Sequence, residues 1–190
     1  MKKNNILNLT RPITLVGMMG SGKTLIGKLL SKKILLPFVD LDREIEKIEK
    51  RTIKKIFSEN TENIFRKLEG KVLLQFLDSQ PKIIATGGGA FANTNTRRII
   101  LKKSISIWLK VATKNLIRRV KYAKNRPLLN DVDIKEKMQE LVKNRYPFYK
   151  QADITIDSNG APETIVRNIC QTITIAKSNK QDTSQEKSRH

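Results

Sequence analysis

Cysteine is almost absent from this sequence: Cys170 is the only one in 190 residues. A lone thiol forbids any intrachain disulfide, and its setting on an apolar helical face marks it as a small core residue rather than a nucleophile. Long hydrophobic runs are missing as well. No apolar stretch reaches the length of about 18 residues that a spanning helix needs, so no membrane partner is expected. The basic start, Met1-Lys2-Lys3-Asn4-Asn5, is followed only by Ile6-Leu7, too little for the apolar core of a signal peptide, and a cytoplasmic location is the expectation. The one histidine, His190, takes no role. Acidic residues are the scarce sign: 18 Asp and Glu stand against 38 Lys and Arg, a net charge of +20. Such a charge attracts nucleic acid without specificity. Aromatics make up only 5% of the chain, and no nucleic-acid motif with stacking positions accompanies the charge. A solvated surface rich in lysine and asparagine accounts for it, and no specific nucleic-acid partner is expected.

What the chain does have is a phosphate-binding loop. Residues 17–24 read G-M-M-G-S-G-K-T, after the β-prone Ile13-Thr14-Leu15-Val16 and before a helical series of Leu25, Ile26, Leu29 and Leu30. Strand, loop and helix in that order are the context the motif requires. Gly20, Ser21 and Gly22 let the backbone turn its N–H groups toward phosphate oxygens, and the following helix adds the positive end of its dipole. Lys23 reaches the β- and γ-phosphates, and the Thr24 hydroxyl is placed to ligate Mg²⁺. The donor is therefore a nucleoside triphosphate.

The rest of the chain alternates strand and helix. Residues 37–42 read as a short strand carrying Asp40 and Asp42 on one side at its end, where a parallel strand meets a ligand crevice. One carboxylate suits the Mg²⁺ water shell and the other the acceptor; Asp42 also suits a helix N-cap. Residues 43–79 are helical in pattern. Within them Glu62, Arg66 and Glu69 form a charged stripe that by spacing alone reads as solvated pairs. Residues 82–86 form a strand followed by Gly87-Gly88-Gly89, which lets a backbone approach a ligand closely. A helix over residues 94–101, a strand over 105–109 and a helix from Thr113 follow. Residues 121–133, with Asn125-Arg126-Pro127, form a basic loop long enough to act as a lid. A helix over 134–142 ends near Pro147. The last strand spans 153–157 and the last helix 162–176.

This alternation predicts an α/β fold, a parallel sheet with helices on both faces and right-handed crossovers. Residues 1–10 are an N-terminal extension. Residues 11–177 form a single domain, with an acceptor-binding helical region over about 42–79. Residues 178–190 form a polar tail expected to be disordered.

Six motifs, in order, resemble one family: G-M-M-G-S-G-K-T, D-L-D-R-E-I-E, F-R-K-L-E, T-G-G-G, R-P-L-L and R-Y-P-F-Y, running from about Ile13 to Ala176. Together they look like shikimate kinase. The resemblance implies a five-stranded, nucleoside-monophosphate-kinase-like fold, ATP as donor, Mg²⁺, and phosphorylation of the shikimate 3-hydroxyl on the route to chorismate. It implies that Asp42, Arg66, Gly87, Gly88, Gly89 and Arg145 hold shikimate, with Glu69 supporting Arg66. Asp40 would serve the Mg²⁺ shell, Arg126 would act at the phosphates, and Arg119 would lie against adenine. The chain is expected to be a monomer. It departs from the family where Lys50 and Thr61 replace glycines usual in turns of the acceptor region. Two competing functions are a P-loop kinase for another hydroxy acid such as gluconate, and a nucleotide-dependent nucleic-acid-binding protein.

Overall fold

Among the described residues five strands, rich in Ile, Leu and Val, lie side by side in one parallel sheet. They are β1 (Ile13–Val16), β2 (Phe38–Asp40), β3 (Ile83–Ala85), β4 (Ile105–Lys110) and β5 (Ile154–Asp157), in the order β2-β3-β1-β4-β5. Strands read this way because both faces of a parallel sheet are covered. The computed structural model describes residue 7 and residues 9–59, 62–121 and 133–187, with side chains through residue 176.

Among the described residues eight helices cover the sheet: α1 (Lys23–Ile34), α2 (Leu41–Glu49), α3 (Ile53–Glu59), α4 (Glu62–Leu77), α5 (Thr94–Lys103), α6 (Thr113–Lys121), α7 (Ile134–Tyr149) and α8 (Pro162–Lys187). Side-chain alternation along each strand sorts the core into two layers. Leu15, Ile83 and Ile107 pack with Ile26 and Leu30 of α1 and Ile165 and Ile169 of α8. Val16, Ile84 and Trp108 pack on the other side with Ile45 of α2, Leu73 of α4, Leu116 of α6 and Tyr149 of α7. Each fully buried Leu or Ile contributes on the order of 1.5–3 kcal/mol, so this two-sided cover dominates the stability. Some of the polar side chains inside pair with one another: the Thr14 hydroxyl donates to Ser104 Oγ at 2.8 Å, and Ser104 donates in turn to the Ile100 carbonyl at 2.8 Å.

Several boundaries differ from those read in the sequence. Strand β2 stops at Asp40, and Asp42 lies in the first turn of α2, so the two carboxylates do not share an extended strand. Asp40, not Asp42, is the N-cap, its side chain accepting from the Arg43 N–H. Helix α7 continues through Pro147 to Tyr149. A proline inside a helix costs about 3 kcal/mol, but here it falls in the last turn, and burial of Tyr149 together with packing of Tyr146 against Trp108 outweighs the lost bond. Helix α8 runs on to Lys187 rather than ending at Ala176, because no glycine or proline interrupts a stretch rich in Lys, Gln and Glu. Leu9, assigned to the extension, is buried beside the α1–α8 layer. Lys50 closes α2 in the left-handed region at φ 51°, the conformation for which glycine is suited. Thr61, Arg126 and the rest of residues 122–132 lie outside the described residues.

Candidate functional site

The C-terminal ends of β1, β3 and β2 are neighbours, and each delivers one part of a crevice. From β1 comes the phosphate loop, from β2 Asp40 and Asp42, and from β3 the segment Thr86 to Gly89.

On the donor side, Gly20 and Gly22 have φ of 79° and 93°, conformations open to glycine at no steric cost. Gly22 is the N-cap of α1, and no side chain bonds the exposed N–H groups there, which leaves the positive helix end open to an anion. The Lys23 ammonium lies over the loop and donates to the carbonyls of Gly17 and Met18 at 2.8 and 2.9 Å. The Thr24 hydroxyl donates to Asp40 Oδ2 at 2.8 Å. A cavity of about 260 Å³ collects Gly20, Gly22, Lys23, Thr24, Asp40 and Asp42, with Gly88 on its wall. Ser21 is buried beneath it, its carbonyl accepting from Ser158 Oγ at 3.2 Å. Arg119 straddles the back of the loop, donating to the Gly20 carbonyl at 3.3 Å and the Ser158 carbonyl at 3.1 Å.

On the acceptor side the charged stripe is solvated only at Glu62. Arg66 is 8% exposed and Glu69 fully buried. Arg66 Nη1 donates to Glu69 Oε2 at 2.8 Å, and its Nη2 to Glu62 Oε1 at 2.9 Å. Burial opposes the Arg66 charge, but the combined pull of Glu69 and Glu62 exceeds it and holds the guanidinium pKa above the ordinary value. For Glu69 burial prevails over the attraction of Arg66, and with the nearby Asp42 charge it pushes the carboxyl up to about 7. Arg145 comes from α7, far away in sequence, yet lines the same cavity of about 600 Å³ as Arg66, Glu62 and Gly89. Two guanidinium groups converging on one cavity are suited to a carboxylate.

The three glycines join the two cavities. A Cβ on Gly89 would stand 2.0 Å from Arg66 Nη2, and one on Gly87 would stand 2.8 Å from Glu69 Oε1 and 3.0 Å from Asp42 Oδ1. Their carbonyls are all engaged. Ala90 N–H donates to Gly87 O, Ala92 N–H to Gly89 O, and both Arg145 Nη1 and the Tyr149 hydroxyl to Gly88 O. None of the three N–H groups has an acceptor among the described residues. The loop therefore offers the crevice donors rather than acceptors.

The structure thus brings together Gly20, Gly22, Lys23, Thr24, Asp40 and Asp42 on one side and Arg66, Glu69, Gly89 and Arg145 on the other, with Gly87 and Gly88 between them. Ser21 and Arg119 support the phosphate loop from below. Sequence reasoning missed Tyr149, Glu62, Asn63 and Asn144, the last three lining the acceptor cavity. Helical continuation past Pro147 would have exposed Tyr149, which follows Arg145 by one turn and so shares its face.

Residues 19–174 match the family model described as shikimate kinase. The chain is 41% identical to a shikimate kinase of Bartonella henselae over 174 residues, 90% of this chain and 83% of that one. It is similar to the solved structure of shikimate kinase from Acinetobacter baumannii in complex with shikimate, with a TM-score of 0.85, 35% identity, and coverage of 88% of this chain and 95% of that one. A gluconokinase from Sinorhizobium meliloti superposes over 92% of this chain and 97% of its own with a TM-score of 0.66, but at 15% identity that likeness shows a common fold alone.

Proposed function

The chain belongs to the shikimate kinase family, and from that premise we propose how its residues divide the work of the reaction. The enzyme transfers phosphate from ATP to shikimate, giving shikimate 3-phosphate and ADP on the route to chorismate. In this reading the phosphate loop and the N-terminus of α1 hold the ATP phosphates. Lys23 leaves the Gly17 and Met18 carbonyls to neutralise charge on the transferring oxygens. Arg119 braces the loop at its nucleoside end.

Arg66 and Arg145 take the shikimate carboxylate, Glu62 and Glu69 hold Arg66 in place, and Gly87 to Gly89 donate N–H groups to the acceptor. Asp42 faces the ring hydroxyls, orients the 3-hydroxyl and accepts its proton as transfer proceeds. A loose transition state demands orientation more than a strong base. The observation that carries this division is the meeting of the cationic cavity and the phosphate-loop cavity at Gly88 and Gly89.

Mg²⁺ fits the donor side. Thr24 Oγ1 and Asp40 Oδ2 are 2.8 Å apart, two hard oxygens beside the phosphate loop. That is the sparse protein donor set on which this ion, bound mainly by water and phosphate, relies. Thr24 would hold it directly and Asp40 through its water shell. When bound it neutralises phosphate charge. A monomeric, cytoplasmic enzyme is part of this proposal, its ATP donor supporting that location. The test is coupled ADP release with and without shikimate, repeated with gluconate and after chelation of Mg²⁺. ADP formed equally with gluconate, or without any acceptor, overturns the assignment.

A further inference from the structure

Tyr149 is the largest fully buried side chain of the fold, yet it carries a hydroxyl into an aromatic cluster with Phe91, Trp108 and Tyr146. A buried hydroxyl is costly unless it is bonded. Here it donates to the carbonyl of Gly88, the central glycine of the loop between the two cavities. Packing alone would be served as well by phenylalanine, so the hydroxyl calls for a separate explanation.

Arg145, one turn earlier on α7, donates to the same carbonyl at 3.2 Å. The two bonds are not equivalent. Arg145 lines the acceptor cavity, where an anionic group would compete with the Gly88 carbonyl for its guanidinium. Tyr149 is sealed in the core; besides the Gly88 carbonyl its oxygen meets the Arg145 guanidinium and, at 3.8 Å, Met18 Sδ. Gly88 in turn lies against the phosphate loop, where a Cβ would stand 3.0 Å from the Met19 nitrogen. The phenol therefore touches the acceptor loop and the donor loop at once.

We propose that Tyr149 is a positioning residue for the acceptor: its hydroxyl anchors the Gly88 carbonyl, keeps the N–H edge of Gly87–Gly89 turned to shikimate, and does so while Arg145 is engaged by the substrate. The proposal rests on the assignment of this loop to the acceptor side. With the carbonyl held by Tyr149, Arg145 is released without the peptide rotating. Without the hydroxyl, binding of the carboxylate by Arg145 leaves the Gly88 carbonyl with no donor, and the peptide turns toward the crevice, where it presents an acceptor in place of a donor.

The experiment is steady-state kinetics of Tyr149→Phe against wild type, varying shikimate and ATP separately, together with thermal unfolding of both proteins. The expected result is a KM for shikimate raised about tenfold, the loss of one buried bond, with the KM for ATP within about twofold and the fold intact. Unchanged KM values for both substrates, with or without a lower melting temperature, would make Tyr149 a core residue only and overturn the proposal. Equal rises in both KM values would also overturn it, since they mean general loosening. Pairing Tyr149→Phe with Arg145→Ala separates the two donors: the double variant should lose more acceptor affinity than Arg145→Ala alone. A wild-type protein that forms no ADP in response to shikimate removes the underlying assignment as well, whereas an active wild type with a kinetically silent Tyr149→Phe removes only this inference.

Discussion

Arg66 and Glu69 form an ion pair at 2.8 Å that uses only one of the two carboxylate oxygens. The other, Glu69 Oε1, is buried without a hydrogen-bond partner among the described residues and faces the Gly87 backbone beside Asp42. Burial first, then the charges of Asp42 and Glu62, raise this carboxyl from its ordinary 4.5 to about 7 against the pull of Arg66. A carboxyl raised on folding is protonated in the native state before the unfolded one, so its contribution to stability is complete below pH 4.5 and is lost as pH climbs to about 7. The loss is on the order of 3 kcal/mol. Urea unfolding of wild type and Glu69→Gln between pH 4 and 8 checks this. The stability of the wild type relative to the variant should fall across that window; a flat difference would mean that Glu69 stays ionised throughout.

Gly89 packs where a methyl group cannot go. Its Cβ would overlap Arg66 Nη2 at 2.0 Å, so Gly89→Ala should displace the guanidinium, raise the KM for shikimate by about tenfold or more, and leave the KM for ATP nearly unchanged. Gly70→Ala on α4 is the control. There the nearest atom is Thr96 Oγ1 at 3.6 Å, an ordinary contact, and alanine should stabilise the helix by roughly 0.5–1 kcal/mol with no kinetic effect. Kinetics and melting curves of the two variants give the answer.

Lys23 is 9% exposed and already holds two loop carbonyls, so its removal also tests whether the loop keeps its shape. Lys23→Ala should lower kcat by roughly 10²- to 10³-fold, the range for losing one fixed donor to developing charge. The circular dichroism spectrum should not change. Turnover within threefold of wild type would take Lys23 out of the mechanism.

Lys50 ends α2 at φ 51°, a conformation that suits glycine. A side chain in the left-handed region costs about 1–2 kcal/mol, and glycine returns part of that as extra freedom of the unfolded chain. Lys50→Gly should therefore stabilise the protein by about 0.5–1 kcal/mol. Leu35→Gly, at φ 58°, is a second position of the same kind but sacrifices an apolar side chain. Denaturant midpoints measured for both variants separate backbone relief from lost burial.

The parts legible in the sequence were those whose meaning is local. The phosphate loop declares itself by its own spacing, and the five strands by apolar runs covered on both faces. What was hidden depends on partners from elsewhere in the chain. Glu62, Arg66 and Glu69 have the spacing of a solvated stripe, yet the approach of Gly87–Gly89 to α4 buries Arg66 and Glu69 and leaves Glu62 exposed; the motif resemblance, not the periodicity, assigned Arg66 and Glu69 to the acceptor. Asp40 and Asp42 looked alike two residues apart, but the helix begins between them, so Asp40 caps it while both line the phosphate-loop cavity. Pro147 signalled a stop that the packing of Tyr146 and Tyr149 overrode, and Tyr149 was missed with it.

Arg66 and Arg145 line one cavity although β3, α5, β4 and α6 lie between their helices among the described residues. Shikimate carries one carboxylate, and a half-closed cationic cavity discriminates by charge as well as by shape. Asp42 lies beside Glu69 at Gly87 and lines the phosphate-loop cavity rather than the cavity of the two arginines. Losing either arginine should weaken shikimate binding by roughly 2–5 kcal/mol, the range for removing one partner of a buried charge pair, with little change for ATP. A neutral amide in place of the substrate carboxylate supplies the sharper test. The amide should be a far poorer substrate than shikimate for wild type, whereas Arg66→Ala and Arg145→Ala, already deprived of the charge that reads the carboxylate, should distinguish the two acceptors much less. Acceptor KM and kcat measured for both compounds with all three proteins decide the matter. If the amide penalty is the same in each protein, neither arginine reads the carboxylate, and the acceptor must bind elsewhere in the crevice.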